Sequence, residues 1–235
     1  MDYSTQLGEN LARVGDRIAA AAHRSGRRPA DITLVAVTKY VDANIVPHLV
    51  AVGCTNIGES RPQELWSKAE SLANLPVRWH LVGHLQRNKV DRTLPLVSLI
   101  HSLDSLRLAK AINDSAAKAD RRIRALIEVN VSGDSAKHGF AAAQVETVLP
   151  QLAALDHLEV RGLMCMASPE GDLEAARCQF SALRKLRDSL RPSAPPGIQL
   201  IELSMGMSGD FEIAIEEGAT VVRIGSAIIE GLPKV

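Results

Sequence analysis

Eight short apolar runs, rich in Val, Ile and Leu, recur along this chain of 235 residues. They are ITLVAVTKY (32–40), CTNIGE (54–59), VRWHLVG (77–83), LVSLIHSL (96–103), RALIEVNVS (124–132), LEVRGLMCMA (158–167), IQLIELSMG (198–206) and ATVVRIGSA (219–227). Between them lie segments with apolar residues at three- and four-residue spacing, such as 105–120 and 172–190. That spacing is the period of an amphipathic helix. Near-continuous apolar strands are strands buried on both faces, as in a parallel sheet. Strict strand–helix alternation means an α/β fold, and eight units at this length predict a single (β/α)8 TIM barrel over residues 1–235. The helical pattern before the first run predicts one extra N-terminal helix, closing the barrel bottom or one side.

Helix-start signals agree with this phasing. Asp42, Ser105 and Ser208 stand where N-caps belong, and Pro62 suits a first helical turn. In the segment from Asp172 to Leu190, Leu173, Ala176, Phe180, Leu183, Leu186 and Leu190 share one face. Pro192, Pro195, Pro196 and Gly197 then break the helix before the next strand.

Composition excludes several classes of function. Lys plus Arg equals Asp plus Glu at 27 each, and aromatic residues are 3% of the chain. A neutral chain without stacking aromatics is not built to coat nucleic acid or an anionic membrane. No run of 18 apolar residues exists to span a bilayer, and the polar N-terminus lacks the apolar core of a signal peptide. Cys54, Cys165 and Cys178 form no C-x-x-C motif, so a reducing cytoplasm is the expected home.

In a TIM barrel, reactive groups sit at the C-terminal ends of the strands. Lys39 ends the first run, with Val35 and Val37 on its side of the strand as a floor and Tyr40 expected to point away. Strand position alone also fits a lysine reaching water. Enclosed in the barrel mouth, its amine is desolvated toward the neutral, nucleophilic form. The last two strand–helix units carry Ser204, Gly206, Ser208 and Gly209, then Gly225 and Ser226. Glycines admit backbone amides close to an anion, serines add hydroxyl donors, and helices starting near Ser208 and Ser226 are expected to aim N–H groups at it. Phosphate sites in these barrels commonly form there. A reactive lysine facing a phosphate cup fits a phosphorylated aldehyde, with pyridoxal 5′-phosphate (PLP) the leading candidate. Arg223 would then face the pyridine nitrogen. As an obligate donor it leaves that nitrogen unprotonated and the ring a weak electron sink.

With these residues in view, the chain resembles the YggS/PROSC family of pyridoxal phosphate homeostasis proteins. The resemblance rests on AVTK (36–39), IGESRPQE (57–64), WHLVGHLQRNK (79–89), VNVSGDSAKHGF (129–140), RGLMCMA (161–167), LSMGMSGDFEIAI (203–215) and VRIGSAI (222–228), in family order. It implies an alanine racemase N-terminal-domain-like barrel without the second, β-rich domain. It also implies an internal aldimine of PLP on Lys39. By position, Val37 and His80 read as lying near the cofactor, with a hydrogen-bonded core histidine the equal alternative for His80. Ser204, Gly206, Met207, Ser208, Gly225 and Ser226 would bind the phosphate, and Arg223 the ring nitrogen. The implied role is PLP homeostasis in a monomer, by sequestering PLP or delivering it to apo PLP-dependent enzymes. Two departures stand out: Ser60 replaces the family's usual Asn, and AIIEG (227–231) lacks an aromatic residue before its glycine.

Rival readings remain. His80 and His84 flank a strand-to-helix change with no carboxylate or Cys at matching spacing, so no metal site is expected. Lys137 is a loop lysine that could handle incoming PLP, and Lys89 is a surface residue. Met164 and Met166 read as barrel lining, while Met205 and Met207 flank the phosphate turn. A PLP-dependent amino-acid racemase is the alternative function, and a phosphosugar enzyme with a reactive lysine is a third. Two-base racemisation needs an acid/base on each cofactor face, and the only tyrosines are Tyr3 and Tyr40.

Overall fold

A computed structural model of the chain describes residues 3–134, 138–168 and 171–232. The first element is helix α1 (Tyr3–Arg24). Eight strands then form the barrel: β1 (Thr33–Val37), β2 (Asn56–Glu59), β3 (Arg78–Leu81), β4 (Val97–Leu103), β5 (Ile123–Asn130), β7 (Leu158–Met164), β8 (Ile198–Ser204) and β9 (Val221–Ile224). A two-residue strand, β6 (Phe140–Ala141), adds only to the end of β5. Each barrel strand pairs in parallel with the next, β4 pairs β5, and β9 returns to β1, with Val35 opposite Arg223. The ring is closed, so no barrel edge is left unpaired. Each of the eight apolar runs of the sequence overlaps one of these strands.

The intervening helices are α2 (Val46–Ala51), α3 (Pro62–Ser71), α4 (Val90–Thr93), α5 (Leu106–Lys118), α6 (Ala142–Ala153), α7 (Leu173–Leu190) and α8 (Phe211–Glu216). Pro62 opens α3. Ser105 caps α5 by accepting from the Leu108 N–H, and Asp172 caps α7 through the Ala175 N–H. On α7 the buried residues are Ala176, Phe180, Leu183 and Leu190, whereas Leu173, at the first turn, is exposed. Ser208 does not cap α8. Asp210 precedes that helix, and its carboxylate accepts from the Met207 N–H at 2.6 Å. Asp42 precedes only a single 3-10 turn and makes no cap bond.

Among the described residues no helix follows β9. After Gly225 the chain turns back on itself, with Ile228 and Ile229 both donating to the Gly225 carbonyl. The helix expected near Ser226 is therefore replaced by a turn. Helix α1 covers that side instead, packing against α2 and α8. Its buried face is Leu7, Asn10, Val14, Ile18, Ala21 and Ala22, at helical three- and four-residue spacing. Asn10 donates to the carbonyls of Ile228 and Glu230, which ties the last turn to the first helix. Arg17–Glu212 and Arg24–Glu216 pairs join α1 to α8. Among the described residues no helix is long and apolar enough to cross a membrane.

Candidate functional site

A cavity of about 470 Å³ opens at the C-terminal end of the barrel. Val37, Lys39, Ser60, Val82, Gly83, Ser208, Arg223, Gly225 and Ser226 line it, with Tyr40, Met166 and Met207 at its exposed lip. Lys39 lies just past the end of β1, in a turn, and is exposed rather than enclosed. Strand alternation no longer governs its direction there. Tyr40 does not point away: the Lys39 Nζ sits 4.7 Å from the Tyr40 ring centroid, within cation–π distance. Below the lysine, Val35, Val37, Val82 and Val221 form a small buried cluster, the expected apolar floor.

The two Ser/Gly turns meet on the cavity wall beside Lys39's strand, which pairs with β9. The Ser208 hydroxyl accepts from the N–H groups of Gly225 (3.2 Å) and Ala227 (3.3 Å). The two amides tie the second turn to the first and leave the Ser208 hydroxyl hydrogen for the cavity. Gly206 is the residue that lets the first turn close. Its φ is +91°, and a Cβ there would meet Ala214 Cβ at 2.5 Å. Gly206 shapes the cup from behind and does not line the cavity.

Ser204 and His80 lie deeper than their sequence positions suggested. Ser204 is fully buried and accepts from the Arg223 guanidinium at 2.6 Å. His80 is buried in the barrel, with Nδ1 3.0 Å from His101 Nε2 and Nε2 3.3 Å from Asn56 Oδ1. Neither lines the cavity. Arg223 reaches it from within: it is 4% exposed, and its second Nη donates to the Cys165 carbonyl at 2.9 Å. Burial holds His80 down at about 4 and His101 well below the ordinary imidazole range, so both are neutral.

Sequence reading missed the supports of the site. His101 is one, and nothing in its local pattern distinguishes it from an inward strand residue. The buried trio Thr38, Glu59 and Lys68 is another. Lys68 Nζ donates to the carbonyls of Thr38 and Val41 and pairs with Glu59, to which Thr38 Oγ1 also donates. Met164 is barrel lining, packed with Leu99 and Leu126, whereas Met166 belongs to the cavity lip. Lys137 lies outside the described residues.

Beyond the lip, His84, Asp104 and His138 approach one another. His84 Nδ1 is 2.8 Å from Asp104 Oδ2, and the two imidazoles stack at 4.4 Å with 15° between planes. The Nδ1 atoms of both rings lie within 4.0 Å of the same Asp104 oxygen.

The fold and this mouth define a class: α/β barrels with a lysine just past the first strand and an anion cup formed by the last two. Residues 10–233 match the family model described as alanine racemase, N-terminal domain. Pyridoxal phosphate homeostasis proteins from Aquifex aeolicus and Pseudomonas aeruginosa are 40% and 36% identical over 94% of this chain, covering 96% and 94% of their own lengths. The chain belongs to that family. A structure of PipY from Synechococcus elongatus with PLP bound aligns at a TM-score of 0.83 and 33% identity over 94% of this chain and 99% of that one. Alanine racemase from Corynebacterium glutamicum, at 20% identity and a TM-score of 0.69, shares the fold over 61% of its length.

Proposed function

We propose that this protein binds PLP in the barrel mouth as an internal aldimine on Lys39, and that it serves intracellular PLP homeostasis by sequestering the cofactor or delivering it. The observation that carries this reading is the pairing of Lys39 with the Ser208–Gly225–Ala227 anion cup in one cavity that Arg223 also lines. Lys39 would supply the amine that condenses with the aldehyde, releasing one water. Arg223, which cannot accept a hydrogen bond, supports a donor role toward the ring nitrogen. Val37 and Val82 supply an apolar wall, and Met207 a soft contact at the lip. His80 and Ser204 act in this reading through Arg223 rather than by touching the cofactor.

A carrier fits better than the racemase alternative. Racemisation by two bases needs acid/base groups on opposite faces. Tyr40 lies beside Lys39, on the same side, and Tyr3 packs edge-on against His48 at the α1–α2 contact. The open lip suits loading and release by a single-domain monomer, and Cys54 and Cys178, neither in a disulfide, suit a cytoplasmic setting. Candidate recipients are apo PLP-dependent enzymes. The test is to load the chain with PLP, follow its absorbance band, and run amino-acid racemase and transaminase assays beside transfer to an apo-enzyme. Transfer without turnover is expected. Rapid turnover of any amino acid, or an unchanged covalent adduct in Lys39→Ala, would overturn the proposal.

A further inference from the structure

A line of buried polar groups runs through the barrel from Arg223 toward its opposite end. Arg223 Nη1 donates to Ser204 Oγ at 2.6 Å, Ser204 Oγ lies 2.8 Å from His101 Nδ1, His101 Nε2 lies 3.0 Å from His80 Nδ1, and His80 Nε2 lies 3.3 Å from Asn56 Oδ1. The direction of the line follows from its first member. A guanidinium has donors only, so Ser204 Oγ accepts there and its own hydrogen is free for His101 Nδ1. The His101 proton then sits on Nε2 and is donated to His80 Nδ1, and the His80 proton sits on Nε2 and is donated to Asn56. These tautomers are assigned from the network. Every buried group in the line is satisfied once, and one consistent polarity satisfies them all.

We propose that His101, acting through Ser204, is a positioning residue that fixes the Arg223 guanidinium in the orientation it presents to the cofactor's ring nitrogen. The inference rests on the PLP reading for its ligand, while the line itself belongs to this chain alone. Without the His101 acceptor, the Ser204 hydroxyl turns freely and the guanidinium keeps one fixed protein contact, the Cys165 carbonyl. The titratable groups acting on the line are Arg78 on His80, His80 and Arg223 on His101, and Cys165, Asp210 and Glu128 on Arg223. Extra protons are excluded from the rings by burial and by each other. A proton on His80 Nδ1 would face the His101 Nε2–H.

Two measurements test this. In the chain without cofactor, long-range ¹H–¹⁵N spectra of ¹⁵N-histidine protein should show His80 and His101 as neutral Nε2–H tautomers between about pH 5.5 and 8. An Nδ1–H tautomer at His101 reverses the polarity and overturns the inference. In the PLP-loaded chain, His101→Leu should move the apparent pKa of the cofactor absorbance band by a pH unit or more. His101→Gln, whose amide oxygen accepts from Ser204 and whose NH2 donates to His80, should restore the wild-type profile. A His101→Leu profile equal to wild type, with only the melting temperature lowered, assigns His101 a structural role and overturns the proposal. Absence of any PLP band in the wild-type chain is instead a failure of the functional reading, and the tautomers still judge the line.

Discussion

The Lys68 ammonium and the Glu59 carboxylate form a buried pair at 2.6 Å, and the same ammonium donates to the carbonyls of Thr38 and Val41 at 2.8 Å each. Those two carbonyls bracket Lys39. One cation on α3 therefore holds the turn that carries the reactive lysine.

Removing Lys68 leaves Glu59 charged and buried with only the Thr38 hydroxyl. The second Glu59 oxygen, Oε2, already has no hydrogen-bond partner among the described residues. Lys68→Met should cost about 3–5 kcal/mol, the usual penalty for stranding one member of a buried pair. The midpoint of urea unfolding reads this at unchanged slope. The double variant Lys68→Met/Glu59→Gln should recover part of the loss, because the stranded charge is gone. A single variant as stable as wild type would show that the pair holds nothing in place.

The two glycines of the first Ser/Gly turn make a matched control. Gly206 has φ +91°, and an added Cβ would meet Ala214 Cβ at 2.5 Å and Phe211 Cα at 2.9 Å, whereas at Gly209 it would meet nothing within 4 Å. Gly206→Ala should destabilise the chain by more than ~1 kcal/mol. Gly209→Ala should stay within about 0.5 kcal/mol of wild type. Equal melting temperatures for the two variants would contradict the packing behind the cup.

This contrast also marks how much was legible in the sequence. Most of the eight strands were readable because they are near-continuous apolar runs, whereas β2 (Asn-Ile-Gly-Glu) and β3 (Arg-Trp-His-Leu) carry only one or two apolar residues each. The Lys39, Ser208, Gly225 and Arg223 positions were readable because barrel architecture fixes where strand ends gather. What sequence could not resolve was depth. Ser204 and Ser208 stand four residues apart in one motif, yet one is sealed against Arg223 and the other faces the cavity. The difference is set by Gly206 turning the chain between them. Lys68 and Glu59 looked like ordinary charges of a helix and a strand end, since a pairing nine residues apart through a buried turn leaves no periodic signal. The missing last helix followed the same rule: α1, first in sequence, fills a place that strand–helix alternation assigns to the end of the chain.

Glu128 gives the fold a pH dependence of unusual sign for a carboxylate. Burial, and secondarily the charge of Asp104, push its carboxyl up to about 7 from 4.5. Between those values the folded chain holds a proton that the unfolded chain has lost, so stability falls as pH rises from about 4.5 through 7. Glu128→Gln removes that term. It should gain about 3 kcal/mol over wild type at pH 8, at 1.36 kcal/mol per pH unit, and little at pH 4. His80 works the other way. Its value is depressed to about 4, so its contribution is lost as pH falls from about 6.5 toward 4. The difference between wild-type and Glu128→Gln unfolding curves isolates the carboxyl, because His80 is common to both. A difference that does not grow between pH 5 and 8 would remove Glu128 from the account.

Ser208 separates phosphate recognition from recognition of the ring. Its oxygen accepts from the Gly225 and Ala227 amides, so its single hydrogen is left for the cavity it lines. A hydroxyl donating to a phosphate is a charge-assisted bond, worth roughly 1.5–3 kcal/mol. Ser208→Ala should therefore raise the Kd for PLP about ten- to a hundredfold. The same substitution should leave the Kd for pyridoxal, which has the aldehyde and ring but no phosphate, within about twofold. Fluorescence titration of both ligands against wild type and variant makes the comparison. If both ligands weaken together, Ser208 supports the shape of the mouth and the anion cup lies elsewhere. If only PLP weakens, the phosphate sits between the two Ser/Gly turns, and Lys39 is left facing the aldehyde end of the same molecule.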